Sequence, residues 1–206
     1  MLNNYFEKIY CINLSERTDR WNHVTNEFNK IGCTVERFDA IKGNTNTNLT
    51  PGEVGCYLSH VNILKNIINN DIKNALIFED DVVFCQDFNN KFKTFYDQLP
   101  TDNTLVYPGS NYSIFNPNAK LEKITDNIYL GNNILATHSY FINNEGAKIL
   151  LDLLKTNYLT EPVDNAFRHY QSKYPTYVFK PNLVYQLPGH SDVRGGYRDY
   201  NDVFIN

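Results

Sequence analysis

The sequence predicts an α/β fold in which a mainly parallel β-sheet is covered by helices. Short apolar segments alternate along the chain with stretches in which apolar residues recur every three or four positions. Residues 75–78 are apolar at every position, as expected of a strand that is buried on both faces. Because no linker separates two cores, we expect residues 1–206 to form a single domain.

The N-terminal segment is predicted to form a strand, a helix and a second strand. Residues 9–14 are a short apolar run, and residues 34–38 are the next one. Ser15 is the expected N-cap of the helix between them. The apolar positions of that helix, at spacings of three and four, are Trp21, Val24, Phe28 and Ile31.

The second helix has a clear start signal. Thr50 is the expected N-cap, Pro51 occupies the first helical position, and Glu53 completes a capping box. This gives Glu53 a sufficient structural role. His60 lies two turns further along, beside the apolar stripe, where a histidine is either a packing residue or a ligand or base.

The remainder of the chain continues the alternation. Further strands are expected at 104–107, 128–130, 139–142, 176–179 and 183–185. Further helices are expected around 88–99, 147–154 and 162–170. The last twenty residues form a polar, Gly-rich tail.

Three consecutive acids, Glu79, Asp80 and Asp81, follow the buried strand directly. Neighbouring carboxylates raise one another's pKa unless a positive charge lies among them. In an extended chain Glu79 and Asp81 share one face, so they form an acid-x-acid pair suited to Mn²⁺ or Mg²⁺. The alternative is that the acids cap a following helix or form surface ion pairs. Three acids in a row after a fully apolar strand favour the metal.

Two arginines follow the first strand within one helical turn. Arg17 and Arg20 can therefore reach past the end of that strand toward an anionic ligand. The alternative is a solvated charge pair with the adjacent Asp19.

Later residues offer further candidates. Asp164 stands where Pro-Val introduces a helix, so it is either an N-terminal cap or a general base. His190 lies in a glycine-flanked segment as a metal or phosphate ligand or as a solvated loop residue. His138 is likewise either a ligand or a residue without a functional role.

Composition excludes several classes of protein. The 19 basic and 23 acidic side chains leave a formal charge of −4, so a nucleic-acid-binding footprint is not expected. No apolar run is long enough for an integral membrane segment. The four cysteines form no Cys-x-x-Cys pair and lie in or beside apolar runs, which indicates free thiols and a reducing compartment. With a methionine only a few residues before the first strand, we expect a cytoplasmic protein.

Three segments taken together resemble glycosyltransferase family 25, which includes lipooligosaccharide and procollagen galactosyltransferases. They are Ile-Asn-Leu-x-x-Arg-x-x-Arg at 12–20, Leu-Thr-Pro-Gly-Glu-Val-Gly-Cys-Tyr-Leu-Ser-His at 49–60, and Ala-Leu-Ile-Phe-Glu-Asp-Asp-Val at 75–82. The likeness continues through 136–142, 162–164 and 186–193. The matching segments span essentially the whole chain, and their order and spacing are those of the family.

The resemblance implies a GT-A-type, Rossmann-like domain that binds a nucleotide sugar. The donor would be a UDP-hexose, the ion Mn²⁺ or Mg²⁺, and the acceptor a glycan or glycoprotein, as in lipopolysaccharide biosynthesis. The family is generally inverting, which implies one direct displacement at the anomeric carbon, with Asp164 as the candidate base.

Site residues carry over position by position. Glu79 and Asp81 would contact the metal and diphosphate, with His190 as a further metal ligand, and Asp80 would be a supporting or ribose contact. The residues placed by the nucleotide are Asn13, Arg17 and Arg20. The residues placed near the sugar are Glu53, Ser59 and His60.

The sequence departs from the family pattern at two positions. Ala136 stands where the family often has Gly, and Asn165 stands where procollagen enzymes look to have an acid, which leaves the identity of the base open. Two other functions fit the same residues. One is a degenerate carbohydrate or nucleotide-sugar binding module, and the other is a metal-dependent phosphohydrolase.

Overall fold

The structure, a computed structural model, describes residues 2–44, 47–112, 116–191, 193 and 195–199, without the side chains of His190 and Arg198. A short 3₁₀ helix at Leu2–Asn4 precedes the first strand. The strands are β1 (Lys8–Asn13), β2 (Glu36–Asp39), β3 (Asn74–Glu79), β4 (Val82–Phe84), β5 (Leu105–Tyr107), β6 (Lys120–Lys123), β7 (Ile128–Asn132), β8 (Ser139–Asn143), β9 (Thr176–Phe179), β10 (Val184–Gln186), β11 (Gly189–His190) and β12 (Tyr197–Arg198). The helices are α1 (Thr18–Lys30), α2 (Pro51–Asn69), α3 (Phe88–Tyr96), α4 (Asn144–Thr156) and α5 (Val163–Gln171).

Eight strands form one sheet in the order β2-β1-β3-β8-β5-β9-β7-β6. The pairs β1–β2, β1–β3 and β5–β9 are parallel, whereas β7 and β8 run antiparallel to their neighbours. Six of the eight strands therefore share one direction. The predicted α/β fold with a mainly parallel sheet is confirmed.

Helices cover both faces of the sheet, which explains the fully apolar third strand. Ala75 and Ile77 point into a core shared with α2, α4 and α5. Leu76 and Phe78 point into a second core shared with α1 and α3. Alternate residues of one strand thus supply two cores, as the pleat requires.

The two helix starts predicted from the sequence had different outcomes. The capping box is confirmed, because Thr50 Oγ1 accepts a hydrogen bond from Glu53 N (3.2 Å) and Glu53 Oε2 accepts one from Thr50 N (2.9 Å). The Ser15 cap is wrong, because α1 begins at Thr18 with Arg17 at the N-cap. The Asn13 side chain donates a hydrogen bond to the Arg17 carbonyl (3.2 Å). This contact stabilises a non-helical turn that includes Ser15, so the helix begins after it.

The acidic segment does not lead into a helix. Asp80 and Asp81 form a tight turn between β3 and β4, and the next helix begins only at Phe88. The helix-capping interpretation of the acids is therefore excluded. β4 pairs antiparallel with β10, which brings the C-terminal region back beside the acids.

No described helix, including the 19-residue α2, has the length and apolar content that a bilayer span requires. All four cysteines are free thiols.

Candidate functional site

A cavity of about 390 Å³ opens where β1 and β3 end at the sheet edge. The loop after β2 and the first turns of α2 form its other walls. It is lined by Ile12, Asn13, Leu14, Glu16, Arg17, Arg20, Ala40, Ile41, Lys42, Gly43, Pro51, Gly52, Gly55, Cys56, Ser59, His60, Glu79, Asp80 and Val193. A carboxyl-end location is where α/β sheets bind ligands, and the volume is typical of small-molecule sites.

Close backbone packing shapes one wall of this cavity. A Cβ atom on Gly55 would lie 2.4 Å from the Ile41 carbonyl oxygen, so only glycine fits there. Ser59 Oγ accepts a hydrogen bond from Ile41 N (2.8 Å) and donates to Gly55 O (2.7 Å). Ser59, expected near the sugar, therefore lines the cavity and also fixes the loop against α2.

Asp80 binds two of the residues that the resemblance placed by the nucleotide. Its Oδ2 accepts from Asn13 Nδ2 at 2.6 Å, and its Oδ1 accepts from Arg20 NH1 at 2.8 Å. Burial raises the pKa of Asp80 in spite of both partners. Asp80 thus ties the ends of β1 and β3 to the first turn of α1.

The negative charge of Asp81 is balanced by fewer close hydrogen-bond and ion-pair partners than that of Asp80. Gln186 Nε2, from β10, lies 3.3 Å from Asp81 Oδ2, and Arg20 NH1 lies 3.9 Å from the same oxygen. Burial, followed by the charge of Glu79, raises the pKa of Asp81 to about 7. Negative charge therefore exceeds positive charge around Asp81. The expectation that Glu79 and Asp81 share one face is not met as stated, because residues 80 and 81 form a turn and the cavity is lined by Glu79 and Asp80.

Glu79 lies between strand β8 and helix α2. Its Oε1 accepts a hydrogen bond from Thr137 Oγ1 (2.9 Å) and lies 3.4 Å from His60 Nε2. Burial, the largest single influence, raises the pKa of Glu79, but the combined effect of His60, His138 and Thr137 is greater. The pKa therefore stays below its usual range.

Cys56 joins this group from one helical turn before His60. Ligand atoms of Cys56, His60 and Glu79 all lie within 4.8 Å of one another. Sequence reasoning missed Cys56, Thr137 and Gln186 as site residues. The spacing of four between Cys56 and His60 on a helix was the available signal.

Two other predicted residues have a structural partner. Arg17 lines the cavity while its Nε and NH2 donate to Asp19 (3.0 and 2.8 Å), as the charge-pair interpretation expected. Glu53 contributes its carboxylate to the capping box and is not among the described residues that line the cavity. At the rim, Lys42 Nζ donates to Glu16 Oε1 (2.7 Å).

The candidates from the C-terminal half are more dispersed. Asp164 lies in the first turn of α5, where its Oδ1 accepts from Asn165 N (2.9 Å). Its charge is close enough to help raise the pKa of Cys56 on the cavity wall. The His190 side chain lies outside the described residues. His138 is fully buried within 3.3 Å of the Val184 carbonyl oxygen, and burial lowers its pKa to about 4.

Comparison with known proteins places this geometry in context. The model of the family described as "Glycosyltransferase family 25 (LPS biosynthesis protein)" matches residues 6–167. The chain is 26% identical to human "Procollagen galactosyltransferase 2", over 93% of this chain and 36% of that protein. It is 28% identical to a "Putative glycosyltransferase" of Haemophilus influenzae, over 90% of this chain and 72% of that protein. The chain thus spans about a third of the length of the procollagen enzyme.

Among solved structures, two similarities cover most of the chain. "A197 from STIV" is 14% identical with a TM-score of 0.49, covering 97% of each chain. A "glycosyltransferase involved in the glycosylation of the major capsid of PBCV-1" is 12% identical with a TM-score of 0.42, covering 84% of this chain and 91% of that one.

Proposed function

The chain belongs to glycosyltransferase family 25, and from that premise we propose that it transfers a hexose from a UDP-sugar to a hydroxyl of a glycan or glycoprotein. Galactose and glucose are the proposed sugars. The observation that carries the proposal is the run of three carboxylates, Glu79, Asp80 and Asp81, of which Glu79 and Asp80 line a cavity of about 390 Å³. A divalent cation would supply the missing positive charge, and the diphosphate held by that cation would occupy the space.

The cavity is suited to an anionic nucleotide on one side. Arg17, Arg20 and Lys42 line it, and Asn13 is held in place by its hydrogen bond to Asp80. The arginines offer planar donor groups that match phosphate geometry. We therefore assign the nucleotide to the wall formed by β1 and α1 and the sugar to the wall formed by α2.

Glu79 and Asp81 would hold Mn²⁺ or Mg²⁺. When bound, the cation stabilises the negative charge that develops on the departing diphosphate. The rest of the arrangement serves to position these carboxylates. Arg20 and Asn13 fix Asp80, Gln186 contacts Asp81, and Thr137 orients Glu79.

We assign Asp164 as the general base. In an inverting displacement the acceptor oxygen bonds to the anomeric carbon while the bond from that carbon to the diphosphate oxygen breaks. The carboxylate takes the proton of the acceptor hydroxyl, a step that contributes about 10²–10⁴-fold. Asp164 is not among the described residues that line the cavity, and its assignment rests on the family resemblance at 162–164.

We base the proposed acceptor class on the names of relatives and the proposed compartment on the cysteines. The family description names lipopolysaccharide biosynthesis, and the human relative is named for procollagen, so both glycan and glycoprotein acceptors are proposed. The four free thiols support a reducing, cytoplasmic location.

Release of UDP tests the proposal. The chain is incubated with UDP-galactose or UDP-glucose, with Mn²⁺ or with a chelator, and UDP and inorganic phosphate are measured separately. Metal-dependent release of UDP supports sugar transfer. Release of phosphate in place of UDP would indicate a phosphohydrolase. No release from any common UDP-sugar would indicate a binding module that has lost turnover.

A further inference from the structure

We propose that Cys56, His60 and Glu79 form a second metal site, one for a thiophilic divalent cation such as Zn²⁺, with an open coordination position facing the cavity. The site is separate in chemistry from the Glu79–Asp81 pair, although Glu79 belongs to both.

The three ligands converge from two elements. Cys56 and His60 are four residues apart on α2, so they share one helix face, and Glu79 ends the adjacent strand β3. Their sulfur, nitrogen and oxygen ligand atoms all lie within 4.8 Å of one another. Small side-chain movements would bring such a group to the distances at which Zn²⁺ is bound.

His60 has the orientation of a metal ligand. Its Nδ1 lies 3.0 Å from the Tyr140 hydroxyl, which fixes the ring. Its Nε2 is buried and, among the described residues, has no hydrogen-bond partner, although Glu79 Oε1 is 3.4 Å away. Metal-binding histidines in proteins commonly have one nitrogen held by an outer hydrogen bond and the other directed at the ion.

Glu79, like His60, has an outer hydrogen bond that fixes its orientation. The Thr137 hydroxyl donates to its Oε1 at 2.9 Å, which is an outer contact of the type that positions a coordinating carboxylate. All three proposed ligands line the cavity, so a fourth position can be filled by water or by a bound molecule. Three protein ligands with one open position are typical of catalytic zinc.

Ligand chemistry selects the ion. Sulfur and imidazole nitrogen favour Zn²⁺, whereas an all-oxygen pair favours Mn²⁺ or Mg²⁺. When the Zn–S bond forms, the Cys56 thiol releases its proton to solvent, and His60 binds as the neutral ring with Nδ1–H donating to Tyr140.

A buried His60–Glu79 ion pair is the competing explanation. An imidazolium next to a carboxylate satisfies both charges without an ion, and it gives Cys56 no role. The two explanations differ in whether the Cys56 sulfur contacts an added metal.

Cobalt provides a direct test, because a cobalt–thiolate bond gives a charge-transfer band in the near ultraviolet. The whole chain is stripped of metal and titrated with Co²⁺. We expect this band, together with the visible bands of a four-coordinate site, to saturate at one cobalt per chain and to disappear on addition of Zn²⁺. Cys56→Ser should abolish the charge-transfer band, whereas Cys85→Ser, which changes a half-buried cysteine outside the site, should retain it.

Tyr140→Phe tests the orientation of His60. It removes the outer hydrogen bond and keeps the ligands, so the band should persist while cobalt affinity falls about 10–100-fold. Absence of the band in the unmodified chain, an unchanged band in Cys56→Ser, or unchanged affinity in Tyr140→Phe would each overturn the proposal. Because no turnover is measured, these results are independent of whether the chain transfers a sugar.

Discussion

Arg20 contacts two consecutive acids unequally: its NH1 lies 2.8 Å from Asp80 Oδ1 and 3.9 Å from Asp81 Oδ2. One guanidinium cannot neutralise both buried carboxylates. Asp80 receives the hydrogen bond and becomes a structural anchor, whereas Asp81 keeps a pKa raised to about 7 by burial and by Glu79. This division of roles is the reason for proposing Asp81, and not Asp80, as a metal ligand.

Asp81→Asn should strongly lower metal-dependent activity without unfolding the protein. Removing one charge-stabilising group from such a site costs about 10²–10³-fold in turnover. Because burial raises the pKa of Asp81 from 3.8 to about 7, ionisation of Asp81 costs stability that is lost progressively as pH rises from about 3.8 to about 7, so the amide should leave the free energy of unfolding at pH 8 equal or higher. UDP release and urea unfolding measure the two effects. Asp97→Asn, at an exposed pair with Lys93, is the matched control and should retain activity.

Arg20→Ala should destabilise the fold far more than Arg17→Ala. The first change leaves Asp80 buried without its cation, which typically costs about 3–5 kcal/mol. The second removes a contact with the exposed Asp19, and pairs of that kind contribute little. Urea unfolding of both variants provides the comparison, and equal losses would contradict the anchoring role of Arg20.

Asp164→Asn should lower turnover by about 10²–10⁴-fold if this carboxylate is the base. Donor affinity should change little, because the base acts on the acceptor hydroxyl. Single-turnover kinetics and calorimetric titration with the donor separate the two quantities. A matching loss of donor affinity would place Asp164 in the sugar pocket instead.

Stability should fall as the solution is acidified, in part because of His138. Burial lowers its pKa from 6.5 to about 4, so the folded state resists a proton that the unfolded state accepts. The stabilisation is fully present above pH 6.5 and is lost as pH falls toward 4, for a total of about 3 kcal/mol. The free energy of unfolding, measured with urea, should differ less between about pH 7 and about pH 5 in His138→Gln than in the unmodified protein. An identical pH dependence would contradict the neutral, buried state of His138.

Local signals in the sequence predicted most elements that form the site. The capping box at Thr50 and the apolar strand before Glu79 depend on neighbouring residues, so the sequence displays them. The direction of a strand, by contrast, does not depend on neighbouring residues and cannot be predicted in this way. The antiparallel β8 occupies the position beside β3 because of long-range pairing, and its apolar residues look the same in either direction.

The site residues also differ in whether local sequence reveals them. The acids and Arg20 were recognisable as charges at element ends, although the sequence did not show that Arg20 would select Asp80. Thr137, in the loop before β8, contacts an acid 58 positions away, and Gln186, at the end of β10, contacts an acid 105 positions away. No local pattern encodes such contacts.

Calorimetric binding of UDP, with and without Mn²⁺, tests the central claim most directly. If Glu79 and Asp81 hold the ion that grips the diphosphate, Mn²⁺ should tighten UDP binding by at least about tenfold, or about 1.4 kcal/mol. The Asp81→Asn variant should lose that gain. UDP affinity that is the same with Mn²⁺ and with a chelator would contradict the account.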